Sequence, residues 1–313
     1  MRVGLITHVV GDADSKDVLQ ETVELARAAD NAGYASFWVA QHHFGSHHGH
    51  APSPLVLLAA IAQHTRRIEL GTAVITAALE NPIRLAEDAA TVDVLSAGRL
   101  QLGLGAGADP YASRVFGVKH SLRHSVLRER LGSLCRELED GRIRPQASGV
   151  RRRLWLATGS SEGYELAREF DMGILAGRKA SPNAAEDRTT AERLKRFRRK
   201  QTASGHDPRT GLSRTMFCAG DRAEAHALLR PGVERWIEER VKTGRFASGY
   251  SFDDYLRDGH IAVGTAEQIN EQLNQDPCIE HASDLLLNIP QSHPNFTDNL
   301  NSIRLFARTH IQD

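Results

Sequence analysis

The sequence predicts an α/β protein, a single (β/α)8 TIM barrel with loop insertions, in one domain over residues 1–313. Short apolar runs alternate with helical patterns eight times along the chain, which favours a closed barrel over an open doubly wound sheet. The second run is apolar on both faces, as in a parallel strand that helices cover. No linker or low-complexity segment divides the 313 residues, and this length suits one barrel with insertions.

Four strands are predicted in the first half of the chain, at residues 3–10, 36–40, 68–76 and 100–105. In the second strand, Phe37 and Trp38 point to opposite faces, and both faces are apolar. The helices of this half are predicted at residues 16–33, 54–64, 82–96 and 121–140. Gly33 ends the first helix, and Asn81 followed by Pro82 begins the third.

Four more strands are predicted in the second half, at residues 154–158, 173–176, 213–219 and 284–289. Helices are predicted at residues 160–170 and 184–201, from residue 221 onward, at 264–273 and at 299–310. Two segments are interpreted as irregular: the glycine-rich turn at residues 105–111 and the stretch at residues 243–260.

The composition indicates a globular protein without a nucleic-acid footprint, because 39 Lys and Arg residues balance 39 Asp and Glu residues. The basic segments at residues 151–153 and 195–200 are interpreted as solvated helix faces. Three cysteines, an odd number placed far apart, argue against a disulfide framework and suit a reduced compartment. No segment has the pattern of a signal peptide or the ~18 apolar residues of a membrane span. We expect a cytoplasmic protein that binds neither nucleic acid nor membrane.

The segment SFWVAQHHFG, residues 36–45, carries the first candidate site. In a barrel of this kind the active site is built on the loops that follow the C-terminal ends of the strands. Gln41, His42 and His43 occupy such a position, and further histidines follow at positions 47, 48 and 50. The cluster lacks a helical HxxxH pair and nearby cysteines, so no metal site is predicted. His42 and His43 are candidate proton-transfer residues; the alternative is that they only pack and hydrogen bond.

Two later turns contain glycine and can bind a ligand through the backbone. Thr158, Gly159, Ser160 and Ser161 lie between a strand and a helix, where exposed amides and hydroxyls can bind an anion such as phosphate. The alternative is an ordinary serine helix cap. The segment LGLGAG, residues 102–107, lacks a clean GxGxxG helix, so a Rossmann site is a weak interpretation. Its glycines can instead let a flat ligand approach the backbone closely.

Taken together, five segments resemble the bacterial luciferase-like flavin monooxygenase family. They occur in the family order over nearly the whole chain, at residues 38–44 (WVAQHHF), 71–107 (GTAVITAALENPIRLAEDAATVDVLSAGRLQLGLGAG), 114–118 (RVFGV), 159–161 (GSS) and 263–273 (VGTAEQINEQL). The resemblance implies a (β/α)8 barrel that holds reduced FMN across the strand C-termini. It also implies that the flavin activates O2 to oxidise a small-molecule substrate, that a separate flavin reductase supplies reduced FMN, and that the protein forms a homodimer.

The resemblance also suggests roles for individual residues. His42 matches the family histidine beside the flavin, so it is the preferred acid/base candidate, followed by His43. Ala73 and Val74 match the place after the third strand where members often have a non-proline cis peptide beneath the flavin ring. Ser160 and the neighbouring amides match a phosphate contact. The full set of candidate cofactor-binding residues is Gln41, Thr72, Ala73, Val74, Gly105, Ala106, Gly107, Thr158, Gly159, Ser160, Ser161 and Arg178.

Three features depart from the family pattern. Gln41 replaces the usual glutamate before the paired histidines, which removes a negative charge. Ala106 stands where many relatives have an arginine directed toward the flavin phosphate, and Arg178 is a candidate replacement. The connection over residues 141–153 is shorter than usual, so we expect the substrate to be less completely enclosed.

Two other functions stay open from the sequence alone. A deazaflavin-dependent oxidoreductase would use the same barrel to transfer hydride without O2. A non-catalytic flavin-binding or partner-stabilising subunit would be consistent with the residues at positions 41 and 106. The substrate is not encoded in any motif of the chain.

Overall fold

The computed structural model describes residues 1–44, 49–146, 149–177, 184–244, 246–259, 261–290 and 294–311, with backbone only at residues 184–186. Within them, all strands pair in parallel. The strands are Arg2–Thr7 (β1), Ser36–Val39 (β2), Glu69–Thr72 (β3), Ile75–Thr76 (β4), Leu100–Gly105 (β5), Leu154–Ala157 (β6), Gly173–Ala176 (β7), Thr210–Cys218 (β8), Ala262–Gly264 (β9) and Asp284–Asn288 (β10).

Eight of these strands close a barrel in the order β1, β2, β3, β5, β6, β7, β8 and β10, because β10 pairs with both β8 and β1. The two-residue strand β4 continues the pairing with β5, and β9 pairs with the C-terminal part of β8. This topology confirms the predicted (β/α)8 TIM barrel.

Helices surround the barrel and connect successive strands. They are Ser15–Ala32 (α1), Pro54–His64 (α2), Pro82–Leu95 (α3), Pro110–Val115 (α4), Arg123–Glu139 (α5), Ser161–Glu169 (α6), Ala184–Ala203 (α7), Arg222–Lys242 (α8), Phe252–Asp258 (α9), Ala266–Asn274 (α10) and Phe296–His310 (α11). No helix in the described ranges is long and apolar enough to cross a membrane.

Three apolar clusters hold the fold together, and one of them packs α8 and α9 against the end of β8. The other two are layers on the two faces of the barrel sheet. The larger layer lies between the strands and the helices and includes Phe37 and Val39 of β2. The smaller layer fills the barrel and contains Trp38 and Trp155, whose rings meet edge to face with centroids 5.7 Å apart. Alternate residues of β2 therefore serve opposite faces of the sheet, as predicted.

The two tryptophans are fixed by their neighbours inside the barrel. Trp38 donates a hydrogen bond to the Ser36 hydroxyl at 2.8 Å, and Trp155 donates one to the Gln101 side-chain oxygen at 2.7 Å. Gly71 faces Trp38 so closely that a Cβ there would overlap the indole ring. The barrel interior is therefore a packed core below its mouth.

Three sequence-based boundaries are wrong. The third predicted strand, residues 68–76, is two strands, β3 and β4, with the Ala73–Val74 peptide bond in cis between them. The turn predicted at residues 105–111 ends earlier than expected, because an additional helix, α4, begins at Pro110 after the Asp109 cap. The irregular stretch predicted at residues 243–260 contains α9, and the short strand β9 follows it.

Candidate active site

The barrel mouth has two halves of different chemistry. Side chains alternate along a strand, so residues two or four positions beyond the interior layer face the mouth. On four neighbouring strands, β8, β10, β1 and β2, the mouth-facing residues are polar: Thr215, Asn288, His8 and His42. On the other four, β3, β5, β6 and β7, they are small: Ala73, Gly105, Ala157 and Gly177. A ligand at the mouth would have polar groups on one side and open space on the other.

His42 is held in a defined position by β1 and by its own loop. Its Nε2 lies 3.2 Å from Nδ1 of His8, and the two rings are stacked with centroids 5.4 Å apart. Its backbone N–H donates to the carbonyl oxygen of Ala51 at 3.1 Å. Gly49 covers the ring so closely that a Cβ there would overlap it. A hydrogen bond between two imidazoles needs one ring to donate and the other to accept, so this pair is suited to proton transfer.

His43 faces a different environment from His42. Its ring lies 4.7 Å from the Phe116 ring, beside the half-exposed Phe44. Its Nε2 is buried without a hydrogen-bond partner among the described residues. Burial lowers the pKa of His43, against the opposing charges of Glu80 and Asp109, so the ring is neutral at pH 7. Of the two predicted catalytic histidines, only His42 joins the polar half of the mouth.

Gln41 connects three loops at the rim of the barrel. Its amide nitrogen donates to the Pro52 carbonyl oxygen and to the Glu80 carboxylate, each at 3.1 Å. Its side-chain oxygen accepts from the Thr76 backbone N–H at 2.7 Å. A glutamate could not donate the first two of these bonds. The amide at position 41 therefore positions β4 and the loop that carries Glu80.

Thr72 is fully buried between β3 and β5. Its hydroxyl donates to the Gly103 carbonyl oxygen at 2.7 Å and accepts from the Gly103 N–H at 2.9 Å. These two bonds replace strand pairing next to the cis peptide. The single hydroxyl of Thr72 thus both donates and accepts a hydrogen bond within the sheet.

The small half of the mouth is shaped by the residues after β3 and β5. The non-proline cis peptide implied by the family resemblance is present between Ala73 and Val74, and both side chains pack against the barrel interior. A Cβ at Gly105 would lie 2.8 Å from a methyl group of Val74, so glycine is required there. A Cβ at Gly177 would meet no atom of the described residues within 4 Å. The floor of the mouth is thus apolar next to β5 and open next to β7.

Ala106 and Gly107 follow β5 but do not extend the small half of the mouth. The Ala106 side chain packs against the layer between strands and helices. Gly107 adopts a left-handed backbone with φ 79° and packs against Thr76. An arginine at position 106 would therefore begin on the outer side of the sheet.

The turn after β6 combines helix capping with an anion-binding arrangement. The Ser160 hydroxyl oxygen accepts from the Gly163 N–H at 3.1 Å and caps α6, so the serine-cap interpretation is confirmed. Thr158 accepts from the Ser160 N–H at 3.2 Å. Hydrogen bonds from its own amide and from the Ser160 hydroxyl lower the pKa of Glu162. An oxyanion, the Glu162 carboxylate, is thus already held at the start of α6.

Arg193 of α7 brings a positive charge to this turn. Its guanidinium donates to the Gly159 carbonyl oxygen at 2.9 Å, and its charge contributes to the lowered pKa of Glu162. Ser160 and Ser161 are exposed beside it. Arg178, the candidate replacement for an arginine at position 106, lies outside the described residues, as do His47 and His48.

Three residues of this region were missed by the sequence prediction: His8, Asn288 and Arg193. The first two could have been found, since each continues an alternating inward pattern from Ile6 or Leu286 to the end of its strand. Arg193 lies 34 residues after Gly159. Only the packing of α7 against α6 brings the two together, so no local signal predicts this contact.

The chain belongs to the family of luciferase-like monooxygenases, whose family model matches residues 1–276. An uncharacterised protein of Sinorhizobium fredii, y4vJ, is 30% identical over 263 residues, 77% of this chain and 73% of that protein. Limonene 1,2-monooxygenase of Rhodococcus erythropolis is 29% identical over 290 residues, 84% of this chain and 73% of the relative. The F420-dependent glucose-6-phosphate dehydrogenase of Amycolatopsis mediterranei is 40% identical over 91 residues, 28% and 27% of the two chains.

Solved structures show the same fold. The monooxygenase RslO1 of Streptomyces bottropensis superposes with a TM-score of 0.84 at 21% identity and covers 98% of both chains. The oxygenating constituent of 3,6-diketocamphane monooxygenase from Pseudomonas putida, solved with FMN, has a TM-score of 0.77 at 20% identity and covers 99% and 97%. With these relatives the chain is an oxidoreductase of the luciferase-like family.

Proposed function

We propose that this protein is a monooxygenase that uses reduced FMN and O2 to oxidise a small organic substrate. The observation that carries the proposal is the divided mouth of the barrel, in which His8 and His42 face the small residues of β3, β5, β6 and β7. Reduced FMN supplies the two electrons with which O2 is activated, so that one oxygen atom enters the substrate and the other leaves as water. The residues of the chain bind, orient and move protons around this chemistry.

The mouth fits a planar ring system. Ala73 and Val74 form an apolar surface beside Gly105, and Gly177 leaves space where any other residue would place a side chain. A flat ring lying on this surface would bury apolar area against it and expose its opposite face to the histidine pair. The Ala73–Val74 pair therefore takes the supporting position that the family resemblance implies.

His42 is assigned the proton-transfer role. Its ring is fixed by His8 and Gly49, so it can present one nitrogen to the mouth in a constant orientation. Near its ordinary pKa of about 6.5 an imidazole can both accept and donate a proton at neutral pH. His8, which shares a hydrogen bond with it, is assigned the positioning role.

The phosphate of the cofactor is assigned to the start of α6. The Ser160 hydroxyl and the amide of Glu162 itself hydrogen bond to the Glu162 carboxylate there, and the charge of Arg193 adds to the stabilisation. A phosphate accepts hydrogen bonds from the same N–H and O–H donors and carries more negative charge than a carboxylate. It would therefore displace the Glu162 carboxylate. The arrangement supplies a cation without an arginine at position 106.

We further infer that a separate reductase delivers the reduced flavin and that the protein works in the cytoplasm. The relative from Pseudomonas putida is described as the oxygenating constituent of its monooxygenase, which supports a two-protein system. The three cysteines are free and buried, as is common in a reducing compartment.

We also infer a homodimer formed through α2 and α3. These neighbouring helices expose apolar side chains on their outer faces, with Val56 72% exposed and Val94 57% exposed. A second copy of the chain is the occupant that this family resemblance implies. Covering such side chains removes apolar area from water.

A deazaflavin-dependent oxidoreductase is the second candidate function. The F420-dependent relative and the similarity to F420-dependent tetrahydromethanopterin reductase, at a TM-score of 0.70, favour it. The same mouth would accept either planar ring. Anaerobic titration with reduced FMN and with reduced F420 separates the two, and tighter binding of F420 would reject the FMN proposal.

A further test addresses catalysis itself. Air is admitted to the complex with reduced FMN in the presence of candidate substrates, and incorporation of labelled oxygen from O2 is measured by mass spectrometry. Labelled product is the expected result. Tight FMN binding without labelled product from any of a broad panel would favour the non-catalytic flavin-binding subunit.

A further inference from the structure

A second concave surface lies outside the barrel, between α6 and α7. This groove has a volume of about 1170 Å3, and eight of its lining side chains are basic whereas three are acidic. The whole chain has a formal net charge of zero. The positive charge is therefore a local property of this groove, and long-range attraction of the whole protein for anions does not explain it.

Internal ion pairs neutralise only part of this charge. Glu165 accepts from both Lys200 and Arg168 and also lies 4.0 Å from Arg196, so one carboxylate is shared by three cations. Among the residues that the structure describes, Arg188, Lys195 and Arg199 have no acidic partner. They are exposed along one helix, and the 11 helical steps from Arg188 to Arg199 span roughly 16 Å at the rise of about 1.5 Å per residue. Three unneutralised cations thus form a line along the groove.

The floor of the groove also presents buried donors. Tyr164 is 6% exposed, and its hydroxyl has no hydrogen-bond partner in the described structure. Its ring is fixed against Phe197, with centroids 6.0 Å apart in an edge-to-face arrangement. The Nε of Arg168 is buried and likewise has no partner there. Buried donors are normally satisfied, so these two side chains would gain a partner if they turned toward an acceptor oxygen of a ligand in the groove.

We propose that the α6/α7 groove binds an extended small-molecule anion that carries several phosphate groups. Guanidinium groups bind phosphate through paired hydrogen bonds, and the line of cations is longer than one phosphate can contact. The groove is concave and is lined by side chains of both α6 and α7, so a small ligand that enters it is favoured over an acidic protein. The groove shares Ser161, Glu162 and Arg193 with the turn assigned to the flavin phosphate, and Arg188, Lys195 and Arg199 extend it beyond that turn. The proposal therefore concerns these three cations, and FMN binding is measured beside tripolyphosphate binding to distinguish it from the proposed oxygenase activity.

Calorimetric titration of the intact protein with three probes tests the proposal. Inorganic tripolyphosphate is expected to bind with one-to-one stoichiometry and to bind more weakly as salt is raised. Orthophosphate is expected to bind at least about tenfold more weakly, because it contacts fewer of the cations. ATP that binds as tightly as tripolyphosphate would assign recognition to the phosphate chain, and tighter binding of ATP would assign part of it to the nucleoside.

Two variants locate the ligand. The double variant Lys195→Gln with Arg199→Gln is expected to weaken tripolyphosphate binding about tenfold or more, since two charge-assisted contacts are lost. Arg304→Gln with Arg308→Gln is the matched control, because it removes two exposed charges at the same spacing from α11. The control should bind as the unaltered protein does.

Tyr164→Phe removes only the hydroxyl and should weaken binding without lowering the melting temperature, because the hydroxyl has no partner to lose among the described residues. A purely structural role would change the melting temperature instead. Failure of the unaltered protein to bind tripolyphosphate would overturn the proposal. Equal affinity in the unaltered protein, the Lys195 and Arg199 double variant and Tyr164→Phe would overturn it as well.

Discussion

Replacing the two adjacent histidines separately is the sharpest test of the assigned proton-transfer residue. Nε2 of His42 lies 3.2 Å from Nδ1 of His8 at the mouth. The His43 ring instead packs against the Phe116 ring, with centroids 4.7 Å apart. The two side chains differ by one position in sequence and are the same chemical group. His42→Ala should therefore lower turnover greatly, and His43→Ala should leave it nearly unchanged.

The size of the effect follows from the role and the contacts of each side chain. A positioned acid or base contributes roughly 10²–10⁴-fold to a rate, which is about 3–5 kcal/mol of transition-state stabilisation. His43→Ala removes packing from a half-buried ring whose Nε2 has no partner in the described structure, so it leaves no orphaned group behind. We expect it to change turnover less than about threefold. His8→Ala removes the ring that positions His42 and should cost about tenfold.

Turnover is measured as oxygenated product under saturating reduced FMN and a working substrate. Reduced FMN affinity is measured in parallel, and it should change little in all three variants because none of these side chains is assigned to the phosphate. The pH profile of His8→Ala should shift relative to the unaltered protein if His8 acts through His42. A loss in His43→Ala as large as that in His42→Ala would refute the assignment.

Three further changes test the surrounding assignments. Ser160→Ala should weaken FMN binding by about 1–2 kcal/mol, the range for losing a hydrogen bond to a charged group. It should also lower the free energy of unfolding by about 1 kcal/mol, because the helix cap is lost. Unchanged FMN affinity in a fluorescence titration would place the phosphate elsewhere. Arg193→Gln should weaken FMN binding by about 1–3 kcal/mol but leave riboflavin binding unchanged, because riboflavin has no phosphate; equal loss for both ligands would remove Arg193 from the phosphate site. Val56→Glu with Val94→Glu should convert a dimer to a monomer in sedimentation, since charges would be buried at the interface; a dimer that persists would move the interface to another face.

The sequence predicts the outer architecture well because the fold depends on local signals. The helix α2 and the strand β5 have the predicted bounds, and α3 begins at Pro82 after its Asn81 cap as predicted. These elements carry their own start and stop residues. The same signal, Asp109 followed by Pro110, marks the start of α4. The glycines of the preceding segment favour a turn instead, so the sequence-based prediction lacks this helix.

The remaining differences arise where tertiary structure overrides local pattern. Residues 68–76 are rich in β-branched residues on both sides of the break, so nothing in the run itself reveals that β3 and β4 are separate. The three-residue strand β9 exists because it pairs with β8, and it is too short for a periodic signal.

In the candidate site, too, some features could be predicted from the sequence and others depend on tertiary contacts. His42 was predicted from its position after β2, and the cis peptide at Ala73 from the family resemblance. Gln41 was expected at the cofactor, yet its three hydrogen bonds join loops of the protein. A sequence shows that an amide follows a strand, but only the packed structure shows which neighbours it contacts.

Binding of reduced FMN to variants of Gly177 tests the central claim that the flavin lies at the barrel mouth. A Cβ at Gly177 would lie more than 4 Å from every atom of the described residues, and no left-handed backbone restricts its replacement. Gly177→Ala should bind reduced FMN in anaerobic titration as the unaltered protein does, because one methyl group fits. Gly177→Phe should fold with the same melting temperature and lose binding, because its ring would occupy the ligand's space. Unimpaired binding by Gly177→Phe would contradict the account.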